Sequence, residues 1–228
     1  MSVGMPWEIM RIEVPVSPTA PTSAVRHIDL YTKQGAIPPY SSILAVSPDH
    51  DIGFVVLATG RGLGAIVELV IHEYIPAVEA AAREAALQRF AGKYASPGNE
   101  TTHITLSLHG DRTGLVIDEF IRDGHDVMKA WAGMVGFKSA ELWPMELEYE
   151  KEGLVAFQSL SQFGMPTRTE SGKQRTITNY QGLAWAVVED SSYGGFGVDG
   201  FIFRVGSDGR AVSVISPAFR TGEMTRVE

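Results

Sequence analysis

Short apolar runs with polar interruptions occupy the first quarter of the chain and read as strands. Trp7 to Val14 is the first of them, and Val16 to Ser23, with two prolines among Ser, Thr and Ala, reads as a loop. Three further β-like runs follow, at His27 to Lys33, Tyr40 to Ser47 and Ile52 to Ala58. The link Ser47-Pro48-Asp49-His50 has turn chemistry, because proline presets φ and an Asp side chain caps the turn. The last two runs therefore predict an antiparallel hairpin. After Gly60 and Gly62 the period changes. Ile66, Val67, Leu69, Val70, Ile71 and Tyr74 suit a buried helix, and Pro76 suits the first turn of a second one, Ala77 to Phe90, rich in Ala and Glu. Gly92 is a helix terminator and marks a boundary.

Beyond Thr102 the pattern is again β, with Gly/Asp turns between short runs. His103 to Leu108 and Leu115 to Phe120 flank Gly110-Asp111. Leu142 to Tyr149 and Leu154 to Leu160 flank Glu152-Gly153, and Phe201 to Val205 and Ala211 to Ile215 flank Ser207-Asp208-Gly209. Three hairpins at this spacing predict a meander, either a barrel or a sandwich. Glu146, Glu148 and Glu150 alternate with Leu147 and Tyr149, so the acids are expected to face water. Asp126 to Val135 suits one short helix, and Met165 to Arg175 reads as a loop.

Composition narrows the partners. The net charge of −8, with lysines and arginines scattered, excludes nonspecific nucleic-acid binding, which needs a basic face. No cysteine is present, so disulfides, thiolate catalysis and cysteine-ligated zinc are excluded. No apolar run approaches the ~20 residues of a membrane span, and Met1 to Arg11 lacks signal-peptide organisation. The expected compartment is cytoplasmic if Met1 is the native start and undetermined if the chain is a fragment. No cofactor is expected.

The run Tyr31-Thr32-Lys33-Gln34-Gly35, then Tyr40-Ser41-Ser42, a Pro-Asp turn and Gly53-Phe54-Val55-Val56-Leu57-Ala58, resembles the serine β-lactamase and penicillin-binding-protein-like family, in its fungal esterase-like branch. In that family a Lys-x-Gly motif lies on the strand lining the active site, with two strands and a C-terminal helix behind it. Lys33-Gln34-Gly35 matches the motif, with Gln in the usual Ser/Thr position. Gly4-Met5-Pro6-Trp7-Glu8 is similar to the segment preceding this strand. Ala91-Gly92-Lys93-Tyr94 and Asp199-Gly200-Phe201-Ile202-Phe203 resemble parts of the lipocalin-like C-terminal extension of those proteins. The resemblance implies an α+β protein in two parts. Residues 1–92 would be a truncated β-lactamase-like segment of antiparallel strands with packed C-terminal helices, and 93–228 a lipocalin-like barrel or meander.

One absence bears on the chemistry. The family's acyl-enzyme route needs a serine and a lysine three residues apart on a helix. No serine here has lysine three positions on, and Ser171-Gly172-Lys173 has the wrong spacing. Gly-x-Ser-x-Gly and His-Glu-x-x-His are absent as well. Lys33 and Tyr40 would then face a half-site, or Lys33 is simply a partly exposed strand lysine. Within the β-rich part, His103, His125, Asp118 and Tyr180 are the candidate acids and bases. Trp131, Trp143, Phe157, Trp185 and Phe201 could line a cavity for a flat apolar compound, or be core. His103 and His109 are six apart in a strand, an even separation that places both on one face, as an acid/base pair or as two ordinary surface histidines flanking a turn.

Three functions fit these residues. The first is a non-hydrolytic enzyme, a cyclase, isomerase or dehydratase of fungal secondary metabolism, acting on a hydrophobic small molecule. The second is a binding protein with the same cavity and no turnover. The third is a fragment of a β-lactamase-like serine hydrolase, esterase or transferase.

Overall fold

The computed structural model describes residues 2–16, 24–135, 137–145, 153–163 and 191–227. The expected loop at Met165 to Arg175, the Glu146–Glu150 alternation, Tyr180 and Trp185 lie outside them. The chain is mostly β and divides into two units, residues 1–85 with 110–113, and 86–109 with 114–228.

The first unit is a five-stranded antiparallel sheet with its strands in chain order: β1 (Ser2–Gly4), β2 (Trp7–Pro15), β3 (Val25–Ile37), β4 (Tyr40–Ser47) and β5 (Ile52–Thr59). The expected hairpin is β4–β5, in continuous register from Tyr40↔Thr59 to Ser47↔Ile52. Pro48–His50 forms a single 3-10 turn, closed by Asp51 in the left-handed region at φ 52°, which the short Asp side chain tolerates.

The two expected helices are one continuous run: α1 (Leu63–Leu69), a π-helical turn (Val70–Tyr74) and α2 (Ile75–Phe90). Pro76 has no N–H to give to the preceding turn, and the wider π geometry falls where that bond would be missed. Alternation sends Ile12, Ile28 and Leu30 to one face of the sheet. Ile75 packs with Val14, Ile28 and Leu30, while Leu63 and Val67 pack with Ile43.

In the second unit, eight antiparallel strands form a closed ring. They are β6 (Gly92–Ser96), β7 (Asn99–Leu108), β8 (Leu115–Arg122), β10 (Phe137–Met145), β11 (Leu154–Phe163), β14 (Gly200–Val205), β15 (Ala211–Ile215) and β16 (Met224–Arg226). Each pairs with the next, β16 returns to β6, and β8 meets β10, which makes the meander an up-and-down barrel. β9 (His125–Asp126) extends β8, and β12 (Ser192–Tyr193) with β13 (Phe196–Gly197) is a separate hairpin. The helix α3 (Val127–Val135) starts where Asp126 Oδ1 accepts the Lys129 N–H at 2.8 Å, an N-cap bond.

Joints in the ring differ in length. β10 and β11 share eight paired positions, whereas β8–β10, β15–β16 and β16–β6 share two each. At the β16 joint, Arg226 offsets the short ladder. Its guanidinium donates to the carbonyls of Arg89 (3.0 Å) and Ala91, at the end of α2, and to Ala211 O (3.4 Å).

Inward side chains fill the barrel. Phe90, Phe157 and Phe203 meet edge to face at centroid distances of 4.9, 5.3 and 5.0 Å, and Phe120 contacts Phe201 and Phe219. Eight strands enclose just enough room for side chains or one small ligand. Among the described residues the aromatic side chains occupy that room.

Candidate functional site

Buried polar groups need partners, so a buried carboxylate is the first place to look for chemistry. Glu79 lies one helical turn beyond Ile75, on the face of α2 that enters the core of the first unit. Its Oε2 accepts hydrogen bonds from Arg26 Nη1 at 2.8 Å and His50 Nε2 at 2.9 Å, and His50 Nδ1 is 2.9 Å from Ser47 Oγ. Arg26 also reaches Asp49 at 3.0 Å. With Nε2–H given to Glu79, a neutral ring leaves Nδ1 to accept the Ser47 hydroxyl. Burial pushes the Glu79 carboxyl up; the His50 hydrogen bond and the Arg26 charge outweigh it and hold the carboxyl below its ordinary value.

Serine, imidazole and carboxylate stand here in the order of a nucleophilic triad. Ser47 is 1% exposed, as are the side chains of His50 and Glu79. A substrate carbonyl has no approach to Ser47 Oγ, so the arrangement is a buried brace and not a catalytic centre. Sequence reasoning missed it because Ser47 and His50 read as turn residues. The available signal was an acid four residues from an apolar helical position.

The outer side of the barrel holds most of the expected acids and bases. His103 Nε2 is 3.0 Å from Glu119 Oε2, and its Nδ1 is 3.0 Å from Glu100 O. Asp118 is the extra residue of a bulge, since Thr105 pairs Glu119 while Leu106 pairs Ile117. The bulge turns both acids outward, and Asp118 Oδ1 and Ser107 Oγ lie at 2.8 Å from one nitrogen, Nε2 of His109. His125 is exposed on β9. The described residues contain no cluster of three His, Asp or Glu able to hold a metal ion.

Trp131, Phe157 and Phe201 come together in the barrel core. Trp143 is half-buried and packs beside Gly114, where an added Cβ would lie 3.0 Å from its Nε1. In the first unit Lys33 and Tyr40 share one face of the sheet. Lys33 Nζ is 2.7 Å from Glu8 Oε1, and this hydrogen bond holds the Glu8 carboxyl below its usual range.

A cleft of about 300 Å³ opens against β11 and β14. Met145, Ala156 and Ile202 form one cross-strand row on the face opposite the core side chains Phe157 and Phe201, which border the cleft from behind. Leu154, Phe196 and Pro217 complete its apolar lining. Ligand sites begin at about this size and are mostly apolar.

Residues 82–228 match the family model described as "Beta-lactamase-like-like, C-terminal domain". The chain belongs to that β-lactamase-like family.

Two similar proteins are "Probable hydrolase clz13" of Cochliobolus lunatus and "Probable hydrolase M10" of Phoma sp. Each is 32% identical over 143 residues, covering 60% of this chain and 22% or 23% of the relative. The "Beta-lactamase-like protein" of Arthroderma benhamiae is 28% identical over 253 aligned positions, covering 96% of this chain and 41% of its own length. The chain thus spans less than half the length of each of these relatives. No solved structure gives a significant match. Among the described residues no helix is long and apolar enough to cross a membrane.

Proposed function

We propose that this chain binds a small apolar molecule in the cleft on β11 and β14 and performs no acyl-enzyme chemistry of its own. The observation that carries this reading is the cleft itself, about 300 Å³ with an apolar lining of Met145, Leu154, Ala156, Phe196, Ile202 and Pro217. Such a cleft orients a hydrophobic compound. Turnover there would be a cyclisation, isomerisation or dehydration assisted by placement; without turnover the protein is a carrier. The missing Ser-x-x-Lys spacing and the sealed Ser47 support the non-acylating half of the reading.

A fluorescent anilinonaphthalene sulfonate titration tests it. One saturable site is expected, lost in Ala156→Trp, which fills the cleft, with the circular dichroism spectrum unchanged. A fluorophosphonate should label no serine in the native protein. Probe binding untouched by Ala156→Trp, or a covalent adduct on native protein, overturns the reading.

A second reading rests on Lys33. It stands exposed on β3 within Lys33-Gln34-Gly35, and the relatives named as hydrolases are much longer. The chain would then be the C-terminal portion of a β-lactamase-like hydrolase, supplying one wall of a site whose serine lies in other polypeptide. Chromogenic ester hydrolysis that appears only on fusion to the remainder of such a relative, and is lost with Lys33→Ala, would favour it.

A further inference from the structure

The floor of the cleft on β11 and β14 is apolar, so the polar head of any ligand lies at its rim, where charged side chains decide which head is accepted. Beside the Gly197–Gly200 end, Asp199 is only 5% exposed, and its Oδ2 accepts the Gln158 amide at 3.1 Å. At the other end Leu154 pairs with Arg204, whose guanidinium is taken by Glu223 at 2.9 Å. Arg220 differs from both. It is exposed, and among the described residues no carboxylate pairs with it.

The fold fixes where Arg220 stands. Its N–H donates to Pro217 O at 3.0 Å, and Pro217 lines the cleft. On one side of it Phe219 packs on Phe120 at a centroid distance of 5.2 Å; on the other Thr221 Oγ1 accepts the Ser216 N–H at 3.2 Å. Arg220 is in the left-handed region at φ 52°. The other non-glycine residues found there, among the described residues, are Asp51 and Asp123, whose short side chains tolerate it. A long side chain keeps that conformation only where its surroundings impose it. Here the guanidinium lies over the Tyr193 ring, 4.7 Å from its centroid. Tyr193 pairs with Phe196 across β12–β13, so the two rings rise from one side of the hairpin, and Phe196 lines the cleft. Pro217, Phe196 and Tyr193 thus join Arg220 to the rim.

We propose that the cleft takes an apolar molecule ending in a carboxylate, its body on Met145, Ala156 and Ile202 and its carboxylate on the Arg220 guanidinium. The inference rests on the cleft being the binding site, and adds the charge of its ligand. A guanidinium is a planar fork of N–H donors that matches a carboxylate, and a ring beneath its face leaves the donors at its edge open. In a chain of net charge −8, an exposed cation with no acid paired to it is a place for an anion from outside. An apolar amine would meet the same charge as repulsion.

Two fluorescent probes test it on the intact chain: anilinonaphthalene sulfonate, an anion, and phenylnaphthylamine, the same rings without the sulfonate. Both should saturate one site and lose it in Ala156→Trp. Arg220→Gln should weaken the anion by about fivefold, the upper worth of an exposed ion pair, and leave the neutral probe unchanged. Arg220→Lys should restore most of the anion's affinity. In displacement of the neutral probe, the affinity of decanoate relative to decanol should fall by the same factor in Arg220→Gln. If Ala156→Trp abolishes both probes while Arg220→Gln leaves the anion and decanoate as they were, the cleft stands and the carboxylate assignment is overturned. Equal weakening of both probes also overturns it, because Arg220 then only props the hairpin. Binding of both probes untouched by Ala156→Trp removes the cleft reading itself, and the assignment with it.

Discussion

Replacing Glu79 by Gln removes the one negative charge that joins Arg26 and His50 inside the first unit, and keeps the side-chain volume. Both hydrogen bonds to Oε2 are charge-assisted, at 2.8 and 2.9 Å, and the carboxylate is buried. Breaking such a buried pair by removing one partner costs about 3–5 kcal/mol. Arg26 keeps Asp49 at 3.0 Å and part of its hydration, so the lower end, about 3 kcal/mol at pH 7, is the expected loss.

The pH dependence follows from the direction of the shift. The folded Glu79 carboxyl lies below its ordinary value of 4.5, so its stabilisation is fully present above that value. It is lost as pH falls through the lower, folded value. The difference between wild type and Glu79→Gln should therefore be constant from neutrality down to the ordinary carboxylate range, then shrink in stronger acid. Hydrogen exchange of the β3 and β4 amides at several pH values measures this unit apart from the barrel. A loss under about 0.5 kcal/mol, typical of an unremarkable surface site, would refute the reasoning, as would a difference that persists unchanged in acid.

Three further outcomes are expected. Arg226→Met removes the donors to Arg89 O and Ala91 O and should lower barrel stability by about 2 kcal/mol in urea unfolding. Burial pushes the Tyr94 phenol up to about 12. An ultraviolet titration should show one tyrosine ionising near pH 12, lost in Tyr94→Phe, with the stability of the neutral buried phenol intact below pH 10 and lost between there and about 12. Gly114→Ala would place a Cβ 3.0–3.1 Å from Trp143 Nε1, Glu141 Cβ and Leu142 O. An overpacking cost of about 1–3 kcal/mol should appear as a lower melting temperature of the barrel.

Local signals carried far in this chain. Pro48-Asp49 and the flanking apolar runs specify the β4–β5 hairpin, and Asp126 specifies the start of α3, because turn and cap chemistry act within a few residues. Gly110-Asp111 and Ser207-Asp208-Gly209 likewise fall between the strands they were expected to join. β6 and β16 were harder to find. Five and three residues long, they pair with β7 and β15 nearby and also with each other across more than a hundred positions, a pairing no local pattern reveals. The continuity of α1 and α2 was hidden by Pro76, whose local meaning is a new start while tertiary packing of Ile75 favours passage. The Asp118 bulge is invisible to a rule of strict alternation.

The site was less legible, since burial decides it. Trp131, Phe157 and Phe201 have the composition of a cavity lining, and the fold turns all three into core with only the last two bordering the cleft. Ser47, His50 and Glu79 are separated by a turn and a helix, so only three-dimensional pairing reveals them.

The three-residue strand β16 has a consequence for synthesis. It joins β15 to β6 and carries Arg226, yet it is the last strand of the ring to leave the ribosome. Until those residues emerge, β6 has one neighbour and β15 has one neighbour, and the hydrophobic interior has an open flank. The barrel cannot complete its hydrogen-bonded ring during elongation; completion waits for the arrival of Met224, Thr225 and Arg226.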